Sequence, residues 1–128
     1  MSYINKIGME PPKIMESSTI HNMVLTTFLP SQQVKHLAFF KIDAPKFVIH
    51  KKVELKFITG LATATNNTLR LYAVYENAVA LELSSWRLHE DIVSIVGWDK
   101  LIVVNTGQRI IGLRFENNVL RNSFMLSL

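Results

Sequence analysis

Histidine is the side chain best suited to move a proton or hold a metal near neutral pH, and this chain has four: His21, His36, His50 and His89. None stands at the short spacing that lets two imidazoles share an ion, one turn apart on a helix or two residues apart on a strand. There are no cysteines, so thiolate metal sites and disulfides are both excluded. Ser84, His89 and Asp91 supply the side-chain types of nucleophilic catalysis, yet no Gly-x-Ser-x-Gly turn presents the serine. Glu90 and Asp91 are adjacent carboxylates, and sequence neighbours splay apart rather than converge. Gly107 and Gly112 stand alone, with no phosphate-cradling loop between them. The residues therefore argue against an enzyme, and no metal or cofactor is expected.

Charge offers a second kind of chemistry. The formal net charge is +4, and all of the excess lies in residues 1–64, which carry lysines but no arginine. Between Lys35 and Lys56, Phe39, Phe40 and Phe47 are interleaved with Lys35, Lys41, Lys46, Lys51 and Lys52. Single-stranded nucleic acid is held by aromatic rings stacked inside a basic groove, often on a small β-barrel. On that reading Lys35, Phe39, Lys46, Phe47, Lys51 and Lys52 are the contacts. The simpler account is that Phe39 and Phe40, pointing to opposite sides of one strand, include one core residue, while the lysines solvate a strand edge and discourage aggregation. The lack of arginine favours the simpler account, because Arg provides both stacking and bidentate phosphate contacts.

The elements that position these residues read as strand after strand. Residues 1–19 form an arm: Pro11-Pro12 blocks a helix, although Ile4, Ile7, Met9, Ile14 and Met15 give it apolar character. Residues 20–128 form a single domain, of ordinary size for 128 residues in all. Its strands are expected at 21–29, 34–42, 47–50, 53–57, 61–65, 69–75, 79–83, 92–96, 101–104, 109–115 and 119–126. Asn66-Asn67, Glu76-Asn77, Trp98-Asp99, Thr106-Gly107 and Asn117-Asn118 provide breaks between them. Only residues 84–92 suggest a helical turn. The fold class is all-β and antiparallel.

The run from His89 to Phe115 resembles a blade of a WD-repeat-like β-propeller. A His-containing loop leads into an inner strand carrying Val93, Ile95 and Trp98. An apolar strand over 101–104, a polar turn with glycine and a third strand over 110–115 follow. Residues 53–83 lay out the same way, with Leu61 and Leu101 about one blade length apart. The resemblance spans about residues 50–126 and implies propeller-like blades. No Gly-His pair precedes the inner strand, and Trp98-Asp99 is not at the end of the third strand, where the family places its Trp-Asp. A closed propeller needs at least four blades, so the alternatives are a partial propeller completed by other strands or a small closed barrel or sandwich.

Taken together, these features lead us to expect a non-catalytic protein–protein interaction module, a subunit or segment of a larger assembly, with single-stranded nucleic-acid binding as the alternative. Trp86, Trp98, Phe124 and Met125 are the expected partner contacts, since large apolar side chains outside an alternating pattern often anchor interfaces. Other protein subunits are the expected partners, with self-association where strand edges stay open. No stretch reaches the roughly 18 apolar residues of a membrane span. The opening Met-Ser-Tyr-Ile-Asn-Lys is not a basic leader followed by an apolar stretch, so an intracellular chain, cytoplasmic or nuclear, is expected.

Overall fold

A computed structural model describes residues 35–117 and 119–128. The arm at 1–19 and the strand expected at 21–29 lie outside the described residues. Among the described residues nine strands are present: β1 (His36–Phe40), β2 (Phe47–His50), β3 (Val53–Thr65), β4 (Thr68–Tyr75), β5 (Val79–Arg87), β6 (Ser94–Trp98), β7 (Leu101–Asn105), β8 (Arg109–Glu116) and β9 (Val119–Ser127). They form two antiparallel sheets, one ordered β1-β3-β4-β5 and the other β6-β7-β8-β9. Strand β2 also pairs with β3, along its first half, while β1 pairs along its second half. The all-β expectation is met by a sandwich-like pair of sheets that do not close into a barrel. No helix among the described residues is long and apolar enough to cross a membrane.

One core lies between the sheets. Ala62, Ala64, Leu69, Leu71, Ala73 and Tyr75 meet Ile95, Ile102, Val104, Ile111 and Leu113, all buried. Strict alternation would carry β3 out of this core halfway along its length, because its residues 53–57 and 60–64 differ in phase. A β-bulge between Phe57 and Thr59 restores the phase. Phe57 packs on the core before it, Ala62 and Ala64 lie within the core after it, and Ile58 and Leu61 turn to the opposite face. The sequence pattern predicts two strands here, at 53–57 and 61–65; the bulge makes them one bent strand of 13 residues. The helical turn expected over 84–92 is not found. Ser84 to Arg87 continue β5, paired residue by residue with Leu71 to Thr68, because a bulge at Leu83 again returns Ser84 and Trp86 to the core side.

Tyr75 fastens the segment before β2. Its hydroxyl donates to the Pro45 carbonyl at 2.8 Å, and its ring meets Phe57 edge-on with centroids 5.5 Å apart. Burial pushes the Tyr75 phenol above its ordinary pKa, so it stays a donor at any ordinary pH.

The two sheets meet most closely where β1 passes β6. The backbone N–H of Lys41 donates to the Asp99 carbonyl at 2.7 Å. Two residues earlier on each strand, the Phe39 carbonyl lies against Gly97, so β1 and β6 run side by side in the same direction. A Cβ on Gly97 would fall on that carbonyl oxygen, which is backbone and cannot swing away. Gly97→Ala is therefore expected to destabilise the fold by about 2 kcal/mol or more, readable as a lower midpoint in urea, since an inserted methyl must push apart packed backbone. A loss below about 0.5 kcal/mol would show that β1 and β6 are free to separate.

Candidate interaction surface

The sheet β6–β9 carries apolar rows on both faces, the outer one bordered by Arg114 and Arg121 in the row of Leu101. Its inner face enters the core. On its outer face the pairing aligns Val96, Val103, Gly112 and Phe124 in one row across all four strands. Trp98 and Leu101 head the row on one side; Ile110 and Leu126 pair on the other. Trp98 is 71% exposed, Val96 58%, Leu126 57% and Phe124 38%. The Phe124 ring lies over Gly112, where a Cβ would strike it, and so covers a residue with no side chain of its own. A contiguous apolar surface of this kind marks an interaction site more often than an ordinary solvated face.

The four expected partner contacts do not share one surface. Trp98 and Phe124 lie on this outer face. Met125 pairs with core residue Ile111 and so turns to the inner side at the edge, where Arg109 Nη1 lies 3.2 Å from its sulfur. Trp86, half-buried, packs against the core from β5. Val96, Val103, Ile110 and Leu126 were not singled out from sequence. A signal for them was present: Ile95-Val96, Ile102-Val103, Ile110-Ile111 and Met125-Leu126 place apolar side chains on consecutive residues, which a strand sends to opposite faces.

The residues of the alternative nucleic-acid reading are spread along β3. The Lys35 N–H donates to the Ala64 carbonyl and its ammonium to the Asn66 side chain at 3.2 Å, at one end of the strand. Lys51 and Lys52 form the turn into the other end, roughly 35 Å away along the strand. Phe39 lies half-buried on the outer face of the first sheet against Leu61, while Phe40 is in the core. Phe47 begins β2 opposite Lys56, directly after Lys46. Lys41 pairs with Asp99 at 3.6 Å, both side chains exposed. The structure thus brings Lys46, Phe47, Lys51 and Lys52 onto one hairpin and leaves Lys35 and Phe39 with β1.

That hairpin turn is unusual in its residues. Lys51 and Lys52 both take positive φ, 51° and 66°, the geometry that two-residue hairpins ordinarily assign to Asn-Gly. Lysine bears a Cβ penalty there that glycine does not.

The strongest electrostatic feature holds the connection after β5 to the hairpin between β7 and β8. Arg109 grips Glu90 through Nη2 at 2.7 Å and Nε at 3.1 Å, and Thr106 Oγ1 donates to the same carboxylate at 2.8 Å. The Thr106 hydroxyl also accepts from the Arg109 N–H at 3.1 Å. The Arg109 hydrogen bonds, then that of Thr106, hold the Glu90 carboxyl below the usual carboxylate range against its partial desolvation. Every group of this clamp is engaged with another member, as a structural tie would be. His89 and Asp91 flank it in sequence. Among the described residues no three His, Asp or Glu side chains gather as a metal site would require.

No family model, curated protein or solved structure matches the chain.

Two expectations follow. Because the folded state lowers the Glu90 pKa relative to the unfolded chain, the clamp's contribution is present above the ordinary carboxylate range and lost as pH falls through the folded value. Glu90→Gln should lower stability at pH 7, and its deficit against the parent should shrink as pH drops from about 5 to about 3; a deficit independent of pH would remove the charge from the explanation. Replacing Lys51 and Lys52 by Asn and Gly should raise stability by about 1 kcal/mol through relief of the turn, measured by denaturant unfolding. No gain would mean that the lysines take the left-handed conformation without strain.

Proposed function

We propose that this chain is a non-catalytic protein–protein interaction module, a subunit or segment of a larger assembly, and that its five-stranded and four-stranded sheets are propeller-like blades. The observation that carries this reading is the outer face of β6–β9, with its apolar row from Val96 to Phe124 flanked by exposed Trp98 and Leu126. The occupant we assign to it is a further β-sheet of the assembly. The inner face of the same sheet already receives a five-stranded sheet, and the outer face likewise offers cross-strand rows of aliphatic and aromatic side chains.

The order of elements supports the blade reading. Each sheet runs outward from a first strand, and those first strands, β1 and β6, lie side by side and point the same way. The connection from β5 to β6 crosses the β3–β4 turn, where Leu88 and Ile92 donate to the carbonyls of Asn67 and Asn66, each at 2.8 Å. It carries the chain from the outermost strand of one sheet to the innermost strand of the next, as a propeller's blade-to-blade connection does. The departures noted in the Trp-Asp and Gly-His positions mean that the hydrogen-bonded tetrad of WD repeats forms no part of this reading.

The outer face can be tested without knowing the partner. Val96→Thr, Trp98→Thr and Leu126→Thr together keep strand-favouring or tolerated shapes while making the face polar. Since the side chains are exposed, the triple variant should unfold within about 1 kcal/mol of the parent. It should bind several-fold less of an apolar fluorescent dye and sediment as a smaller species wherever the parent self-associates. Dye binding and sedimentation unchanged by the three substitutions would sink the proposal that this face is the docking surface.

A further inference from the structure

Backbone pairing among the described residues runs out at β5 on one sheet and at β9 on the other, each with a hydrogen-bonded neighbour on one side only. The two edges bound a single cleft of about 450 Å³, lined by residues 84–86 of β5, Val119, Leu120 and Asn122 of β9, and Leu113 of β8 beneath them. Soluble proteins defend such edges with charge, proline or shortness. Strand β5 carries Glu82 and Arg87, with Glu82 held by Arg70 at 3.8 Å. Strand β9 is nine residues long, has no proline, and contains one charge, Arg121. It is the undefended edge.

Its side chains have a readable polarity. Leu120 and Asn122 pair with Phe115 and Leu113, residues that pack on or within the core, so they turn toward the cleft. Arg121 turns to the other face, directly opposite Arg114. Two guanidinium groups facing each other across a strand pair repel. Neither makes an ion pair among the described residues, and Glu116, one pair further along that face opposite Val119, is exposed and bridges to neither. Among the described residues the edge therefore offers unpaired main-chain donors and acceptors, an apolar recess on one side and positive charge without an ion-pair partner on the other.

We propose that β9 takes up an extended segment of a partner protein by strand addition. Alternate apolar side chains of the segment enter the cleft between Leu120 and Trp86, and an acidic side chain stands opposite Arg121. Main-chain pairing supplies the attachment and the alternating side chains the selectivity. Arg121 shares the outer face with Trp98, at the end of the row Trp98, Leu101, Arg114 and Arg121, but the strand edge and the cleft involve none of Trp98, Val96 and Leu126.

Trp86 provides the readout. The chain has two tryptophans, so Trp98→Phe leaves the Trp86 emission as the sole indole signal. The probe is the capped peptide acetyl-Val-Thr-Val-Glu-Val-Thr-Val-amide, titrated into the full-length variant. A saturable change in Trp86 emission is expected, about fivefold weaker for the peptide with Lys in place of Glu, and abolished for the peptide N-methylated throughout. Arg121→Glu, an exposed substitution, should invert the preference between the Glu and Lys peptides. The titration is repeated in the triple variant Val96→Thr, Trp98→Thr, Leu126→Thr, where Trp86 is again the only indole; the response should persist, whatever becomes of the outer-face reading. The proposal is overturned by an absent saturable response, by equal binding of the N-methylated peptide, by indifference to the Glu–Lys exchange, or by loss of the response in the triple variant alone.

Discussion

A five-stranded and a four-stranded sheet become one molecule at the passage of β1 over Gly97. There the Phe39 carbonyl occupies the space that any other residue's Cβ would need, and the Lys41–Asp99 main-chain hydrogen bond fixes the strands' relative position. Close approach at this point sets the spacing of the two inner faces, and with it the interlocking of Ala62, Ala64, Leu69 and Leu71 with Ile95, Ile102, Val104 and Ile111. The small residues of β3 belong to the same constraint. Alanine at 62 and 64 lets the second sheet come near, and larger side chains there would hold it off. Interiors packed at crystal-like density do not absorb such changes by sliding. Because the sheets are drawn together at β1 and β6, the far edges β5 and β9 are left to bound an open cleft instead of meeting.

The bulges let a sequence of mixed phase serve this geometry. Each inserted residue reverses which side of the strand faces inward, so the bulge between Phe57 and Thr59 joins two stretches of opposite alternation into one continuous core strand. A second, at Leu83, lets Trp86 reach the core edge, and a third shifts β9 between Asn122 and Phe124. That third bulge has a further effect. It places Phe124 opposite Gly112, where its ring shields bare backbone, while Leu120 and Asn122 remain on the cleft side.

Much of this architecture was legible in the sequence, and its gaps have physical causes. Turn chemistry placed the boundaries well: Asn66, Asn77, Asp99 and Asn117 all adopt positive φ, which asparagine and aspartate accept at lower cost than most residues. The pairs that alternate, such as Val53 to Phe57, read directly as strand. Ser84 to Arg87 did not, because the bulge at Leu83 interrupts the period by which a strand is recognised. Partner candidates chosen by size separated onto two surfaces, because whether an aromatic faces core or solvent depends on register, and register is set across strands, not along them. The basic stretch looked continuous in sequence because Lys35 and Lys52 are only 17 positions apart; β1 and β2 then attach to opposite halves of β3. The Glu90–Arg109 clamp joins residues 19 apart, with no local signal to announce it.

The energetics of the two exposed features suggest why both exist on one sheet. Fully burying an aliphatic or aromatic side chain contributes about 1.5–3 kcal/mol. Val96, Trp98, Phe124 and Leu126 are each between roughly a third and three-quarters exposed, so covering the outer face contributes on the order of 5 kcal/mol. Association itself costs about 4–15 kcal/mol in lost freedom of motion. The apolar face alone therefore supports at best a weak, exchanging contact. A strand added along β9 extends the same sheet from its edge, and a partner that both pairs with β9 and lays its own sheet over the face meets the association cost once while gaining from both surfaces. On this argument the two sites are halves of one recognition. The backbone edge supplies attachment and fixes register and direction, and the apolar face adds its burial to the holding energy.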